Sequence, residues 1–160
     1  MEVIIRKAVK DDVNSILNLI KELAEYEKAP QEVTVTTDEL IRDGFGKNPV
    51  FHVYLAENKS HGIVGMAFWY FAYSTWKGKC IYLEDIIVRQ EFRRQGIGEK
   101  LFNEVLKAAR EHKAKRLMWQ VLNWNTPAIE FYKKKYRAEI SDEWLNGRLT
   151  ENEIQHFELP

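Results

Sequence analysis

Two adjacent carboxylates, Glu84 and Asp85, stand in the run YLEDIIVRQEFRRQGIG at residues 82–98, just ahead of an arginine- and glycine-rich turn. Carboxylates hold ammonium groups and accept protons, so the pair is suited to acid–base work. The turn has different chemistry. In Arg93-Arg94-Gln95-Gly96-Ile97-Gly98 the glycines let the backbone fold tightly and approach a ligand without a Cβ in the way. The amphipathic run EKLFNEVLKAAREH follows at once, and a helix N-terminus there would favour negative charge, with the arginines adding charge-assisted hydrogen bonds. Strand, Arg/Gly turn and helix in that order can cradle a pyrophosphate. A plain glycine turn with surface arginines fits the same pattern. The dinucleotide fingerprint G-x-G-x-x-G and the P-loop G-K-[S/T] are both absent.

Other residues carry a functional and an ordinary reading side by side. Tyr132, in EFYKKK, has a phenol suited to protonating a thiolate, and is equally a core or rim aromatic. Trp76, in YSTWKG, could wall a cation or a chain of methylenes. Glu27 alone is a solvated helix residue, Asn125 a helix cap, and Lys133-Lys134-Lys135 the wet side of a helix. Neighbouring strand residues point to opposite faces, so Glu84 and Asp85 are expected on different sides of the sheet. The four histidines lack metal-ligand spacing, and no metal site is expected.

The elements that must position these residues are legible from periodicity. Residues 2–7 (EVIIRK) read as a strand. Asp11 or Asp12 is expected to cap a helix with Val13, Ile16, Leu17, Ile20 and Leu23 on one face. A short helix begins at Thr37 and Asp38 and ends at Gly44 and Gly46. Residues 52–57, 62–73 and 79–88 read as three strands, the last two an antiparallel pair around residues 74–78. A helix over residues 98–112 presents Leu101, Phe102, Val105, Leu106 and Ala109. Residues 116–122 read as a strand, Asn125 and Pro127 open a further helix, and residues 148–158 contain a last strand. The order β-α-α-β-β-β-α-β-α-β implies an α/β (α+β) layered fold, with a mixed, mostly antiparallel central sheet.

At 160 residues, without a repeat or linker-like segment, the chain is expected to form one domain over residues 1–160. Its 24 basic and 24 acidic residues cancel, so a nucleic-acid partner is not expected. The single Cys80 excludes an internal disulfide framework. Without a signal-like start or an apolar run of membrane length, the expectation is a cytoplasmic protein with no membrane partner.

Several blocks resemble one family in the same order along nearly the whole chain. R-x-x-G-x-G after a strand is similar to the acetyl-CoA pyrophosphate loop of the GNAT N-acetyltransferase superfamily. ILNLIKELAEYEK, DGFGKNP, FHVYLAE, IVGMAFWYFAYSTWKGKCIYLEDIIV, RRQGIG and NWNTPAIEFYKK resemble its diamine acetyltransferase branch, the spermidine/spermine and thialysine acetyltransferases. The resemblance implies a GNAT fold with helices on both faces of the sheet, acetyl-CoA as cofactor and a homodimer. It implies transfer of the acetyl group to a primary amine of a small cationic substrate, by direct attack in a ternary complex. Tyr132 takes the general-acid position, and Glu84 that of the substrate-side carboxylate or water-mediated base. Ile86, Ile87, Val88, Arg93, Arg94, Gln95, Gly96, Ile97, Gly98 and Glu99 take the cofactor positions, with Asn125, Thr126, Pro127 and Ala128 at its far end. Tyr26, Glu27, Trp76, Glu84 and Asp85 take the substrate positions. Two departures stand out. Tyr136 falls where the family has glycine after the tyrosine helix, and Ser74 stands where the polyamine enzymes have aspartate. Loss of that carboxylate moves the expectation toward a thialysine-like, lysine-like or small diamine substrate. Acetylation of protein lysines or N-termini, or non-catalytic binding of acetyl-CoA, are the alternatives.

Overall fold

The computed structural model describes residues 2–158, leaving Met1, Leu159 and Pro160 outside the described residues. The chain divides into two compact units, Met1–Gln120 and Val121–Pro160. The first is built on a five-stranded sheet in sequence order: β1 (Val3–Lys7), β2 (His52–Asn58), β3 (Gly62–Ser74), β4 (Gly78–Val88) and β5 (Leu117–Met118). The first four strands pair antiparallel, and β5 joins β4 in parallel. The expected mixed sheet is therefore present, but only two residues of the run 116–122 become strand.

Alternating side chains give the sheet two apolar faces, each covered by helices. On one, α1 (Val13–Tyr26) and α2 (Thr37–Gly44) bring Ile16, Leu19 and Leu40 against Phe51, Val53, Leu55, Met66 and Ile87. Each such side chain taken fully from water contributes about 1.5–3 kcal/mol before entropy is counted. The other face is turned to α3 (Ile97–Glu111), whose Leu101, Phe102 and Val105 are buried. Gly65 makes this packing close: a Cβ there would stand 3.3 Å from Leu101 Cδ1 and 2.7 Å from the Ile87 carbonyl oxygen.

Helix ends show how the chain is punctuated. Asp12 does not cap α1. Its carboxylate accepts from the Val9 amide at 2.8 Å and pairs with the Arg6 guanidinium at 2.7 and 2.9 Å, so the expected cap is spent on anchoring β1 to the turn before α1. Thr36 caps α2 reciprocally with Glu39. Both α1 and α3 end on a lysine in left-handed conformation, Lys28 (φ 63) and Lys113 (φ 54), where glycine is the usual choice. Each is followed by an alanine whose N–H reaches back to a helix carbonyl, Ala29 to Ala24 and Ala114 to Ala109, both at 2.8 Å.

In the second unit, α4 (Thr126–Tyr136) starts as expected, with the Asn125 side chain accepting from the Ala128 amide and Pro127 in the first turn. Tyr136, at the family's glycine position, is its last residue, and the left-handed turn falls one residue later, at Arg137 (φ 54). The strand expected within residues 148–158 is instead a helix, α5 (Glu151–His156). Its origin is local: Thr150 and Glu153 form a capping box, which nucleates a helical turn.

Candidate functional site

The carboxylate pair sits on an irregularity in β4. Trp69 pairs with Leu83, but Phe68 pairs with Asp85, so Glu84 has no residue opposite it. An extra residue in one strand suspends the alternation of side chains. The expectation that Glu84 and Asp85 face opposite sides is thereby corrected. Asp85 stands opposite Phe68, which packs into the α1 core, and Glu84 is a charged neighbour of Tyr70, which packs against the same core. Both carboxylates serve the α1 face.

Aromatic rings frame them. Tyr70 and Tyr82 are cross-strand partners whose rings stack at 5.3 Å and 23°. Burial, then the Glu84 charge, push the Tyr70 phenol up to about 12, so it stays protonated at neutral pH. Tyr82 is also raised, by burial first and then by Glu84 and Asp85. The Asp85 carboxyl is pushed up to about 7, chiefly by burial, then by the charges of Glu84 and Glu27. Glu27, at the end of α1, is itself raised by burial. Asp85 and Glu27, with depressed acidity, beside Glu84 and the stacked tyrosines are suited to holding an ammonium and taking its proton.

Beyond this cluster β4 has an open side. β5 runs beside it only at Ile81 and Tyr82, so among the described residues no strand continues along that edge over residues 83–88. The predicted residues Ile86, Ile87 and Val88 lie on this stretch, paired on their other side with Ala67, Met66 and Gly65. The chain then passes Arg89, tied to Glu22 of α1 at 3.0 Å, and turns at Gln90–Phe92 into the Arg/Gly segment. Arg94 (φ 61) and Gly96 (φ 77) are both left-handed, and Gly96 opens α3 with no side-chain cap. The first-turn amides of Ile97, Gly98 and Glu99 thus start a helix at which the dipole favours an anion. Gln95 is tied back through its side chain to the Glu91 carbonyl at 3.4 Å. Arg93 behaves differently from its neighbours. Its amide is donated to Gln90 and its Nε to the Val88 carbonyl at 2.8 Å, and its guanidinium lies 4.7 Å from the Tyr26 ring centre. It braces the turn against α1 and so joins the two groups of predicted residues.

Within the first unit, one predicted residue does not come to this place. Trp76 is 80% exposed at the tip of the β3–β4 hairpin, where Ser74 Oγ accepts from the amides of Trp76 and Lys77. From the bulge to that tip is about 20 Å of strand. Tyr132 lies in the second unit, buried on α4 with its ring 5.2 Å from that of Phe131, and Asn125, Thr126, Pro127 and Ala128 form the start of the same helix. Tyr70 and Tyr82 were not singled out from the sequence. The hairpin loop sets 70 opposite 82, a signal that pairing the strands outward from Ser74 and Gly78 would have given. A concavity of about 340 Å³ elsewhere, lined by Lys7, Phe45, His52, Trp69 and His112 among others, contains none of the predicted residues. Among the described residues no group of His, Cys, Asp and Glu could hold a metal ion, and no helix is long and apolar enough to cross a membrane.

Comparisons with known proteins fall in one direction. Residues 13–136 match the profile of the Acetyltransferase (GNAT) family. A thialysine N-epsilon-acetyltransferase of Bos taurus is 44% identical over 147 residues, covering 88% of this chain and 86% of that protein. A spermidine/spermine N(1)-acetyltransferase-like protein 1 of Homo sapiens is 35% identical over 158 residues, covering 94% of this chain and 23% of that protein. Among solved structures, an integron cassette protein from V. cholerae superposes with a TM-score of 0.77 at 22% identity, over 97% of this chain and 96% of the other. An aminoglycoside acetyltransferase from an uncultured soil sample gives 0.77 at 20% identity, over 92% and 97%. These last two show the shared fold.

Proposed function

The chain belongs to the acetyltransferase (GNAT) family, and from that premise we propose that it transfers the acetyl group of acetyl-CoA to a primary amine of a small cationic substrate of the thialysine, lysine or diamine kind. The observation that carries this reading is the open edge of β4 running directly from the carboxylate bulge into the uncapped start of α3.

The residues fit the cofactor. An open strand edge pairs with an extended chain bearing amides, as the pantetheine arm does, and Ile86, Ile87 and Val88 supply that edge. The backbone amides of residues 94–99 and the dipole of α3 suit the pyrophosphate, with Arg94 adding charge and Arg93 holding the turn in shape. Asn125, Thr126, Pro127 and Ala128 take the far end of the cofactor. When bound, acetyl-CoA supplies an acyl group activated as a thioester.

The chain's own residues then divide the work. Glu84, Glu27 and the ring of Tyr26 hold the ammonium, and Asp85 is the group best matched to removing its proton, directly or after Glu84. Backbone N–H groups along β4 polarise the thioester carbonyl. Tyr132 protonates the departing thiolate. Residues 1–160 act as one catalytic domain in this reading, and the family match supports it by crossing the boundary at residue 120. The enzyme is cytoplasmic and a homodimer. Trp76, remote from the bulge in its own chain, belongs to the amine site only if it reaches a partner's.

Thiol release from acetyl-CoA, followed with thialysine, lysine, short diamines, spermidine and a lysine peptide, tests the assignment. Turnover highest with thialysine or a short diamine is expected. Turnover with peptide alone would move the assignment to protein acetylation, and tight CoA binding without any release would make the chain a sensor. Light scattering on a sizing column, with wild type and Trp76→Ala, checks the dimer: a monomer would remove Trp76 from the site.

A further inference from the structure

We propose that His61, in the turn between β2 and β3, is a positioning residue for the cofactor segment, its imidazole holding Phe92 and with it the approach to Arg93–Gly98. The inference rests on the reading of residues 94–99 as the pyrophosphate site. Between β4 and that segment the chain makes one tight turn, Gln90–Phe92, closed by the Phe92 and Arg93 amides on the carbonyls of Arg89 and Gln90. Arg93 braces this turn on the α1 side, through the Val88 carbonyl and the Tyr26 ring. Phe92 is its buried residue, and the His61 ring meets the Phe92 ring edge-on, at 5.2 Å and 71°.

An exposed histidine is ordinarily free to change rotamer, but this one is tied down. Asn58, buried at the end of β2, stands between Val3 of β1 and Gly62 of β3 in the sheet. Its amide nitrogen donates to the Glu2 carbonyl at 2.9 Å, and its Oδ1 accepts from the amides of Ser60 and His61, both at 3.0 Å. Those bonds fix which way the Asn58 amide points. His61 Nδ1 lies 2.9 Å from the same oxygen, so it carries a hydrogen and donates. Nδ1–H is present in that neutral tautomer and in the imidazolium, so the ring keeps its place whether or not it is charged. A second tie runs from the Arg89 amide to the Val64 carbonyl at 2.9 Å. His61 thus extends the order of three paired strands to a segment whose helix start, at Gly96, has no side-chain cap.

His61→Ala removes the ring and its hydrogen bond from an exposed position, so the fold is retained, which a thermal melt verifies. A turn that is in shape for only part of the time binds its ligand with an affinity reduced by that fraction. The calorimetric Kd for CoA and the KM for acetyl-CoA should both rise about threefold to tenfold, the worth of one edge-to-face ring pair, while kcat and the KM for thialysine hold. The decisive comparison adds His61→Ala to Phe92→Leu. If His61 acts through Phe92, the second change costs nothing further. An equal loss of CoA affinity in both backgrounds, a matching loss in kcat, or no loss at all would overturn the role of His61. So would a difference in CoA affinity between wild type and His61→Ala that widens steadily as pH falls, the mark of an imidazolium touching the phosphates. An Arg94→Ala enzyme with wild-type CoA affinity would instead overturn the reading of residues 94–99, and this inference with it.

Discussion

Replacing Asp85 by asparagine keeps the shape of the bulge and removes a proton acceptor. A primary ammonium titrates at about 10.4, so passing its proton to an ordinary carboxylate at 3.8 is uphill by roughly 9 kcal/mol, whereas a carboxylate held at about 7 reduces this to roughly 4.6 kcal/mol. The difference, about 4.4 kcal/mol, corresponds to a rate factor of about 10³. Asp85→Asn should therefore lower kcat/KM for the amine by about two to three orders of magnitude at pH 7.5, with CoA affinity unchanged. The ionised carboxylate is the working form, so wild-type kcat/KM should fall as pH drops below about 7, and this acid limb should vanish in the variant. Stability should move the other way. A carboxyl whose folded pKa is raised binds its proton more tightly in the native than in the unfolded state, so stability falls as pH rises from about 4 toward 7 and the full cost is present above that window. Neutral asparagine escapes it. Allowing for relaxation and partial solvent access, a gain of about 1–2 kcal/mol is expected, or roughly 3–6 °C in Tm for a chain of this size. The assay is steady-state thiol release across pH 5.5–9 with a parallel thermal melt. An acid limb that persists near pH 7 in Asp85→Asn would refute the assignment, as would a variant that loses activity and stability together.

Tyr132→Phe should lower kcat by about 10²–10⁴, the usual worth of a general acid, and leave the calorimetric CoA affinity unchanged. Gly65→Ala would place a Cβ 2.7 Å from the Ile87 carbonyl oxygen, a backbone atom that cannot swing aside, so β4 must shift; denaturant unfolding should show a loss of about 1–3 kcal/mol, with weaker CoA binding. Lys113→Gly relieves a left-handed residue at the end of α3, remote from the bulge, and should raise stability by about 1 kcal/mol without changing kcat/KM.

Most of the fold was legible because its signals are local. The α1 stripe, the helix starts at Thr37–Asp38 and Asn125–Pro127 and the strand runs of β2 and β3 each follow from a few neighbouring residues. The candidate site was half legible. The turn from Arg93 to Gly98 announces itself by composition, but the arrangement of Glu84 and Asp85 depends on a bulge created by how β3 and β4 settle against two different helices. No residue near 84 encodes that slip, so strict alternation misplaces one carboxylate. The chain path after α4 was not legible either. A left-handed arginine is costlier than glycine, and only the bonds from Arg137 and Ala138 back into the helix make it tenable. At α5 the missed signal was local, the capping box of Thr150 and Glu153 that starts the helix.

The brevity of β5 has a consequence for the protein without its ligand. A strand edge that no strand pairs over residues 83–88, among the described residues, has the geometry by which sheets recruit extended chains from other molecules. A ligand whose amides lie along that edge also closes it, acting as a removable edge strand. If acetyl-CoA lies there as proposed, its occupancy should slow self-association of the concentrated or warmed protein, which light scattering with and without CoA checks.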